Sequence, residues 1–572
     1  MPDLINVAKD AWGKVDKKGQ LAIVSYSLSL VLTSLIDGFA IILVSRIVNL
    51  AKNNSTNSSP NGIFALGAIC LGLFVLRSVI AAAITWIGVF AMARQETLFG
   101  SKNFESYLNM RWDVKTTEKI SGVYAFVDRG PYALTQQLLM VFATLLSEVC
   151  SCMVVLIIII KLDWLIALSS SIFFGLVALM QHRYISRLSS SAGEEIVKHQ
   201  NRTYDLLSDS FNLGKVLQVM PSISLIGALE NSRSKLARAR AKSVFLESLP
   251  RYLMESIFVL GVIVVSTTIL IVRGPEFVIG SLVIFLIAGF RLLPSLNRIQ
   301  GLILGLMGRL PLAREGQRST DTKPPAPIMT NRVFSDDKLL LSLNHISYAY
   351  PGSQIDTIKD VSIAFSRGLQ YAIVGPSGSG KTTFLDILMG LLEPSAGDIF
   401  WYLNAEDKFA YVPQDNAISA TTLHNNVALE WNSESVDKEK SYSALGFAEL
   451  DPLNNLGNVD TEGFLNTLSG GERQRLGIAR AFYREPTIIF MDEPTSSLDG
   501  FTEHKIVETI DALRGSHTMF IVSHRLSTIQ NADLVMYLDN GELIACDSFE
   551  RLRLTVPDFE RQIQLGLISD KS

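Results

Sequence analysis

The chain has 572 residues, a net charge of −4 and only 19% charged residues, below the roughly 25% usual in soluble domains. So small a net charge gives no sign of a nucleic-acid partner. Four cysteines (Cys70, Cys150, Cys152 and Cys546) show neither metal-ligand nor disulfide-framework spacing and read as buried or free thiols.

The first 20 or so residues are polar and Lys-bearing, and the apolar run behind them is too long for a signal h-region, so no cleavable leader is expected. Apolar segments follow at 21–49, 63–92, 138–160, 164–182, 250–272 and 276–300. Each reaches the ~20 residues that a membrane-crossing helix needs. Short links at Lys161–Asp163 and Arg273–Glu276 make tight hairpins on one side. Lysines 9, 14, 17 and 18 and the cations of the long links lie on the other side. The positive-inside bias therefore places both termini in the cytoplasm. Asn53, Asn54 and Asn57 match the Asn-x-Ser/Thr pattern but read as a polar outer turn.

Ionisable groups inside the spans are functional candidates by default. Asp37 is about 18 Å and Arg77 about 21 Å from the outer ends of their spans, at ~1.5 Å per residue. That shared depth permits an ion pair. Glu148 and Glu255 can equally be packed or cavity-facing.

From 313 to 338 the periodicity fades and proline and charge rise, which marks a linker. Residues 1–312 then form the transmembrane domain, with long cytoplasmic helical extensions near 93–137 and 182–249. Residues 339–572 form a soluble domain. Its short β-rich runs (LLLSLNHISYAY, YAIVG, TIIFMD, TMFIVS, LVMYL) alternate with helical stretches. The fold class expected is a polytopic α-helical membrane domain of six transmembrane helices followed by an α/β P-loop domain. The sheet should be largely parallel after an antiparallel start.

Gly375, Pro376, Ser377, Gly378, Ser379, Gly380, Lys381, Thr382 and Thr383 follow the strand YAIV and open a helix. This is the context that a phosphate cradle requires. Small residues let backbone N–H groups close on phosphates at a helix N-terminus. Lys381 reaches the β- and γ-phosphates of ATP, and Thr382 offers its hydroxyl to Mg²⁺. The strand TIIFMD aims Asp492 and Glu493 from its tip. Asp492 would hold hydrated Mg²⁺ and Glu493 would polarise the attacking water.

Together with LSGGE (Leu468–Glu472), this constellation resembles the ATP-binding cassette of ABC transporters, from about Leu339 to the C-terminus. The resemblance implies that Tyr350 stacks on adenine and that Gln414 contacts Mg²⁺ and water. It also implies that Ser469, Gly470, Gly471 and Glu472 cap the γ-phosphate held by a facing subunit. Asp499 would cross between subunits, and His524 would hold the γ-phosphate and support Glu493. NVDTEGFLNT, just before the signature, departs from the run usual in exporters. A signature of this kind is an anion site completed by another copy, so a dimer is expected.

Six spans ahead of one cassette resemble an ABC half-exporter of the type IV fold. The resemblance implies that turns near Arg111–Lys119 and Asp205–Lys215 couple to the cassette near Gln414. FRLLPSLNRI in the sixth span resembles bacterial half-transporters that flip lipid-linked oligosaccharides. Arg77, Arg291 and Arg298 are the cavity candidates, and cations there would suit a pyrophosphate head group. Alternatively, Pro294 only kinks the helix and the arginines sit at its cytoplasmic end. The expected protein is thus an ATP hydrolase coupled to export or flipping of an amphipathic or lipid-linked substrate. It would act beside membrane lipids in a bacterial inner membrane, paired with a second half-transporter, an identical chain. A peptide or drug exporter stays open, as does an ATP-gated channel or sensor on the same scaffold.

Overall fold

A computed structural model describes residues 2–52, 60–162, 164–220, 223–275, 278–318, 338–419, 421–450 and 464–565. The Asn-x-Ser/Thr sites, most of the linker and the start of the atypical pre-signature run lie outside these residues. So do the side chains of Cys70, Asp37 and Arg291, and with them the proposed Asp37–Arg77 pair. The chain divides into two compact units: Met1–Asn109 with Thr117–Asp321, and Met110–Thr116 with Thr322–Ser572.

The first unit is helical. The described residues of each apolar segment fall inside one long helical run: Lys17–Lys52, Pro60–Leu108, 120–162, Trp164–Asn212, Ile223–Arg273 and Val278–Gly316. The third run takes two π-helical turns, Ala125–Arg129 and Thr135–Leu139. Three stretches among the described residues are long and apolar enough to cross a membrane: Gly67–Leu108, Ile120–Lys161 and Ser224–Arg273. The count of six spans rests on the sequence. Helices of 49 and 51 residues are about 74–77 Å long at 1.5 Å per residue, against a hydrocarbon core of ~30 Å. More than half of each must therefore project beyond the core. Rows such as Leu168, Ile172, Leu176 and Leu179 are exposed, as an apolar solvent demands and water does not.

Small residues let these helices close on one another. A Cβ at Gly193 would lie 2.0 Å from Gly308 O, and one at Gly130 would lie 2.2 Å from Gly316 Cα. Beside the first contact, the buried Ser189 hydroxyl donates to Leu304 O at 2.8 Å. The second explains why the last helix continues past 312 into the expected linker. Ala313 is buried, and Asn103 Nδ2 donates to Gly316 O at 2.9 Å.

The second unit carries two sheets. Strands β1 (Leu339–Tyr348), β2 (Ile358–Ser366) and β4 (Ala396–Trp401) pair antiparallel in the order β2-β1-β4. The larger sheet adds β3 (Gln370–Val374), β5 (Phe409–Val412), β6 (Ile488–Asp492), β7 (Thr518–Val522), β8 (Leu534–Asp539) and β9 (Glu542–Asp547). Its order is β5-β6-β7-β3-β8-β9, parallel except for β9. Strands β3, β6 and β7 are buried at every residue, which matches their uninterrupted apolar character. Stacked rings of Tyr371, Phe520 and Phe490, 5.3 and 5.1 Å apart, fill one face.

The turn expected near Arg111–Lys119 holds a short helix, Trp112–Lys115, and Met110–Thr116 packs with this second unit. Arg111 pairs with Asp113 at 2.8 Å and with Glu393 at 3.0 Å. Its partner distant in sequence is thus Glu393, where the resemblance points to the surroundings of Gln414. The other expected turn falls at Leu213, between Trp164–Asn212 and Gly214–Val219.

Gly193→Val should lower the thermal stability of the purified chain by about 1–3 kcal/mol, because the branched side chain has no space against Gly308. A melting temperature equal to wild type would refute this packing argument.

Candidate active site in the second unit

Strands β3, β6 and β7 end side by side, and their carboxyl ends carry the candidate groups, where open α/β sheets bind ligands. Gly375, Gly378 and Gly380 all adopt positive φ (152°, 81° and 96°), which glycine alone accepts freely. At Gly375 a Cβ would meet Leu538 O at 2.0 Å. Gly380 precedes helix Lys381–Leu388 and makes no side-chain cap. The first-turn N–H groups are left for phosphate oxygens. Lys381 Nζ donates to the carbonyls of Gly375 and Pro376 at 3.0 and 2.9 Å, pinning the loop. Burial lowers its pKa, against the pull of Glu493 and Asp492.

Thr382 Oγ1 donates to Asp492 Oδ2 at 3.3 Å. A hydroxyl and one carboxylate fit Mg²⁺, which takes oxygen ligands and draws most of them from phosphate and water. Burial, then the neighbouring Glu493, raises the Asp492 pKa, so a cation here would relieve both effects.

Glu493 stands at φ 49°, a left-handed backbone that non-glycine residues rarely hold. Its N–H donates to Val522 O at 2.9 Å, and its carbonyl accepts from Gln474 Nε2 at 2.7 Å. The carboxylate meets His524 Nε2 at 3.3 Å and accepts from Gln414 Nε2 at 3.0 Å. The His524 hydrogen bond is the main reason the Glu493 pKa falls below its ordinary value. The residue is therefore an anion at neutral pH, the ionisation state that a general base requires.

Ser469 caps helix Gly470–Tyr483 in a closed capping box. Its N–H and hydroxyl donate to Glu472 Oε2 at 2.7 and 2.8 Å. Burial works to raise the Glu472 pKa, but the Ser469 bonds outweigh it and hold the carboxyl low. A Cβ at Gly471 would come within 3.2 Å of Ser497 O. Asp499 caps helix Gly500–Asp511 by accepting from Thr502 N–H at 3.1 Å. Tyr350 keeps an exposed ring, while its hydroxyl lies 3.0 Å from Thr383 Oγ1.

The structure thus brings Lys381, Thr382, Asp492, Glu493, His524 and Gln414 together. In the first unit Arg298 is tied to Glu148 at 2.7 Å. Arg77 is half-buried. Two further groups were not singled out from the sequence. Gln474, 2% exposed, spans Glu493 O and the Ser497 N–H, to which its Oε1 is bonded at 2.8 Å. A polar residue inside LSGGERQR gave a signal for it. Asp386 lies in the apolar run TTFLDILMGLL, where burial and then Asp492 push its pKa up to about 7.

The family model described as ABC transporter matches residues 358–496. Those residues form an ABC transporter domain. The chain's helical unit ahead of one cassette gives it the architecture of a half-exporter. A bacterial Atm1-family ABC exporter, solved with ATP bound, superposes with a TM-score of 0.77 at 20% identity. That match covers 96% of this chain and 99% of the other, and it shows the shared fold. A protein from Bartonella henselae named Beta-(1-->2)glucan export ATP-binding/permease protein is 34% identical over 40% of each chain. A Brucella abortus protein of the same name is 28% identical over 67% of this chain and 66% of its own. The chain thus spans about two fifths of the length of the Bartonella relative it matches.

Glu493→Gln should keep ATP binding and lose about a hundredfold or more of hydrolysis. Turnover within a few-fold of wild type would remove Glu493 from its role. Asp386 is protonated more readily when folded, so the stability it lends is full below 3.8 and is lost as pH rises through about 7. The melting temperature of wild type relative to Asp386→Asn should therefore fall across that window. A constant difference would contradict the buried-acid reading.

Proposed function

We propose that this half-exporter hydrolyses ATP to drive export of a glycan across a bacterial inner membrane, as one half of an alternating-access dimer of identical chains. The organisation is a transmembrane domain at 1–312, a linker at 313–338 and a cassette at 339–572, with the cassette and both termini cytoplasmic. The observation that carries the reading is the Glu493 carboxylate, gripped by His524 and Gln414 beside the Thr382–Asp492 pair.

That geometry and the resemblance to ATP-binding cassettes support the following roles. Lys381 exchanges its loop carbonyls for phosphate oxygens. Thr382 and Asp492 hold Mg²⁺, which neutralises charge on the phosphates when bound. Glu493 takes the proton of the attacking water on a carboxylate oxygen, with His524 fixing that oxygen. Ser469, Gly470 and Gly471 of the second copy close over the γ-phosphate, and Asp499 sits at the crossing. Tyr350 presents its exposed ring to adenine. A group so equipped for turnover favours a pump over an ATP-gated channel.

The substrate reading draws on two supports. Relatives carry the name of β-(1→2)glucan exporters. The pairing of Arg298 with Glu148 neutralises one of the cations that would favour a pyrophosphate-linked substrate. A glycan without a charged head group is therefore preferred to a lipid-linked oligosaccharide, and both to peptides or drugs.

ATP hydrolysis by the protein reconstituted in liposomes should rise severalfold with β-(1→2)glucan, and ATP-dependent glucan uptake into inside-out vesicles should vanish in Glu493→Gln. Stimulation by peptides or dyes alone, with glucan inert, would overturn the substrate reading.

A further inference from the structure

Helices Trp164–Asn212, Ile223–Arg273 and Val278–Gly316 of the first unit line a half-open cavity of about 250 Å³. Its walls are mostly apolar, with Ala178, Ile185, Pro250 and Ile303 among them. Three polar side chains line it: Gln181, His182 and Gln300. Both glutamines are only 8% exposed. Neither has a hydrogen-bond partner at Nε2 or at Oε1. Buried carboxamides are seldom left this way, and two of them lining one cavity point to a ligand rather than to a packing accident.

The helices explain why the cavity exists. Gly193 against Gly308, and Ser189 bonded to Leu304 O, clamp two of them tightly. One to three turns away the bulkier Gln181 and Gln300 hold them apart. Pro250, buried in the wall, has no N–H for the carbonyl four residues earlier, so helix Ile223–Arg273 runs on there with one backbone hydrogen bond missing.

Chemistry then selects the occupant. The lining contains no carboxylate, lysine or arginine among the described residues. A charged group would enter without a counter-charge, which low-polarity surroundings oppose. Two carboxamides offer both donors and acceptors and no net charge. A neutral hydroxylated ring satisfies them, with its C–H faces on the apolar wall. The volume falls below the ~300–1,000 Å³ of sites that hold a whole ligand, so a single ring fits and a chain of them does not.

We infer that this cavity is a subsite for one neutral sugar ring, carried either by a free glycan or by a glycoside with a lipid tail. The inference rests on the glycan reading above. The cavity lies at the ends of the apolar segments opposite the short links, the cytoplasmic side by charge, where an exporter first meets its solute.

The test uses the full chain in nanodiscs of phosphatidylethanolamine and phosphatidylglycerol. Two probes are titrated: a short β-(1→2)-linked glucose oligosaccharide and an alkyl glucoside below its micellar concentration. At least one should bind saturably to wild type. Gln181→Leu and Gln300→Leu should each weaken that binding by about tenfold or more. Ala178→Leu, which fills the cavity but keeps both carboxamides, should do the same and decides the matter if the glutamine variants fail to fold. Glucoside binding alone, lost in the variants, supports the subsite with a lipid-borne ring. Binding unchanged in all three variants overturns the subsite and leaves glucan export standing. No binding of either probe to wild type also overturns it; glucan export itself fails only if glucan-stimulated hydrolysis is absent too.

Discussion

The carboxylate of Glu493 is held from both sides, by His524 and by Gln414, on a backbone that few residues would adopt. The surrounding structure must over-determine such a conformation for it to persist. Here β7 supplies the acceptor Val522 O and the signature helix supplies Gln474. The burial of β3, β6 and β7 then matters chemically as well as for packing. Their parallel register sets the phosphate loop, the two acids and the histidine at adjoining strand ends.

Gln474 also joins parts with different duties. One carboxamide donates to the carbonyl of the candidate base and accepts from Ser497, on the stretch that leads to Asp499. The helix that Ser469 caps, the candidate base and the stretch leading to Asp499 are thus joined through one side chain. Movement at the Ser469 end of the helix cannot be wholly independent of the backbone that presents Glu493.

Motifs with fixed spacing were legible from the sequence because their chemistry is local. The phosphate loop must have glycine at its positive-φ positions, and TIIFMD must place its acids at the strand tip. The long helices were legible because apolar runs of that length have few other solutions. Contacts between distant residues were not legible. Nothing in the spacing of Arg298 and Glu148, 150 positions apart, announces an ion pair. Nothing marks Gly193 and Gly308 as neighbours, or Gln181 and Gln300 as facing one cavity. Asp386 looks like an ordinary helix acid until its burial is seen. Proline and charge beyond 312 resemble a linker, yet the last helix runs on to Gly316, which packs tightly against Gly130.

The helices of 49 and 51 residues have a mechanical consequence. Each is hydrogen-bonded from its apolar segment far into its polar extension, so it behaves as a stiff lever with its fulcrum among the small-residue contacts. With an arm of roughly 40 Å beyond the hydrocarbon, a tilt of a few degrees becomes a displacement of a few ångströms at the far tip. Conversely, a displacement of a few ångströms at that tip tilts the whole helix, without its having to bend or unwind.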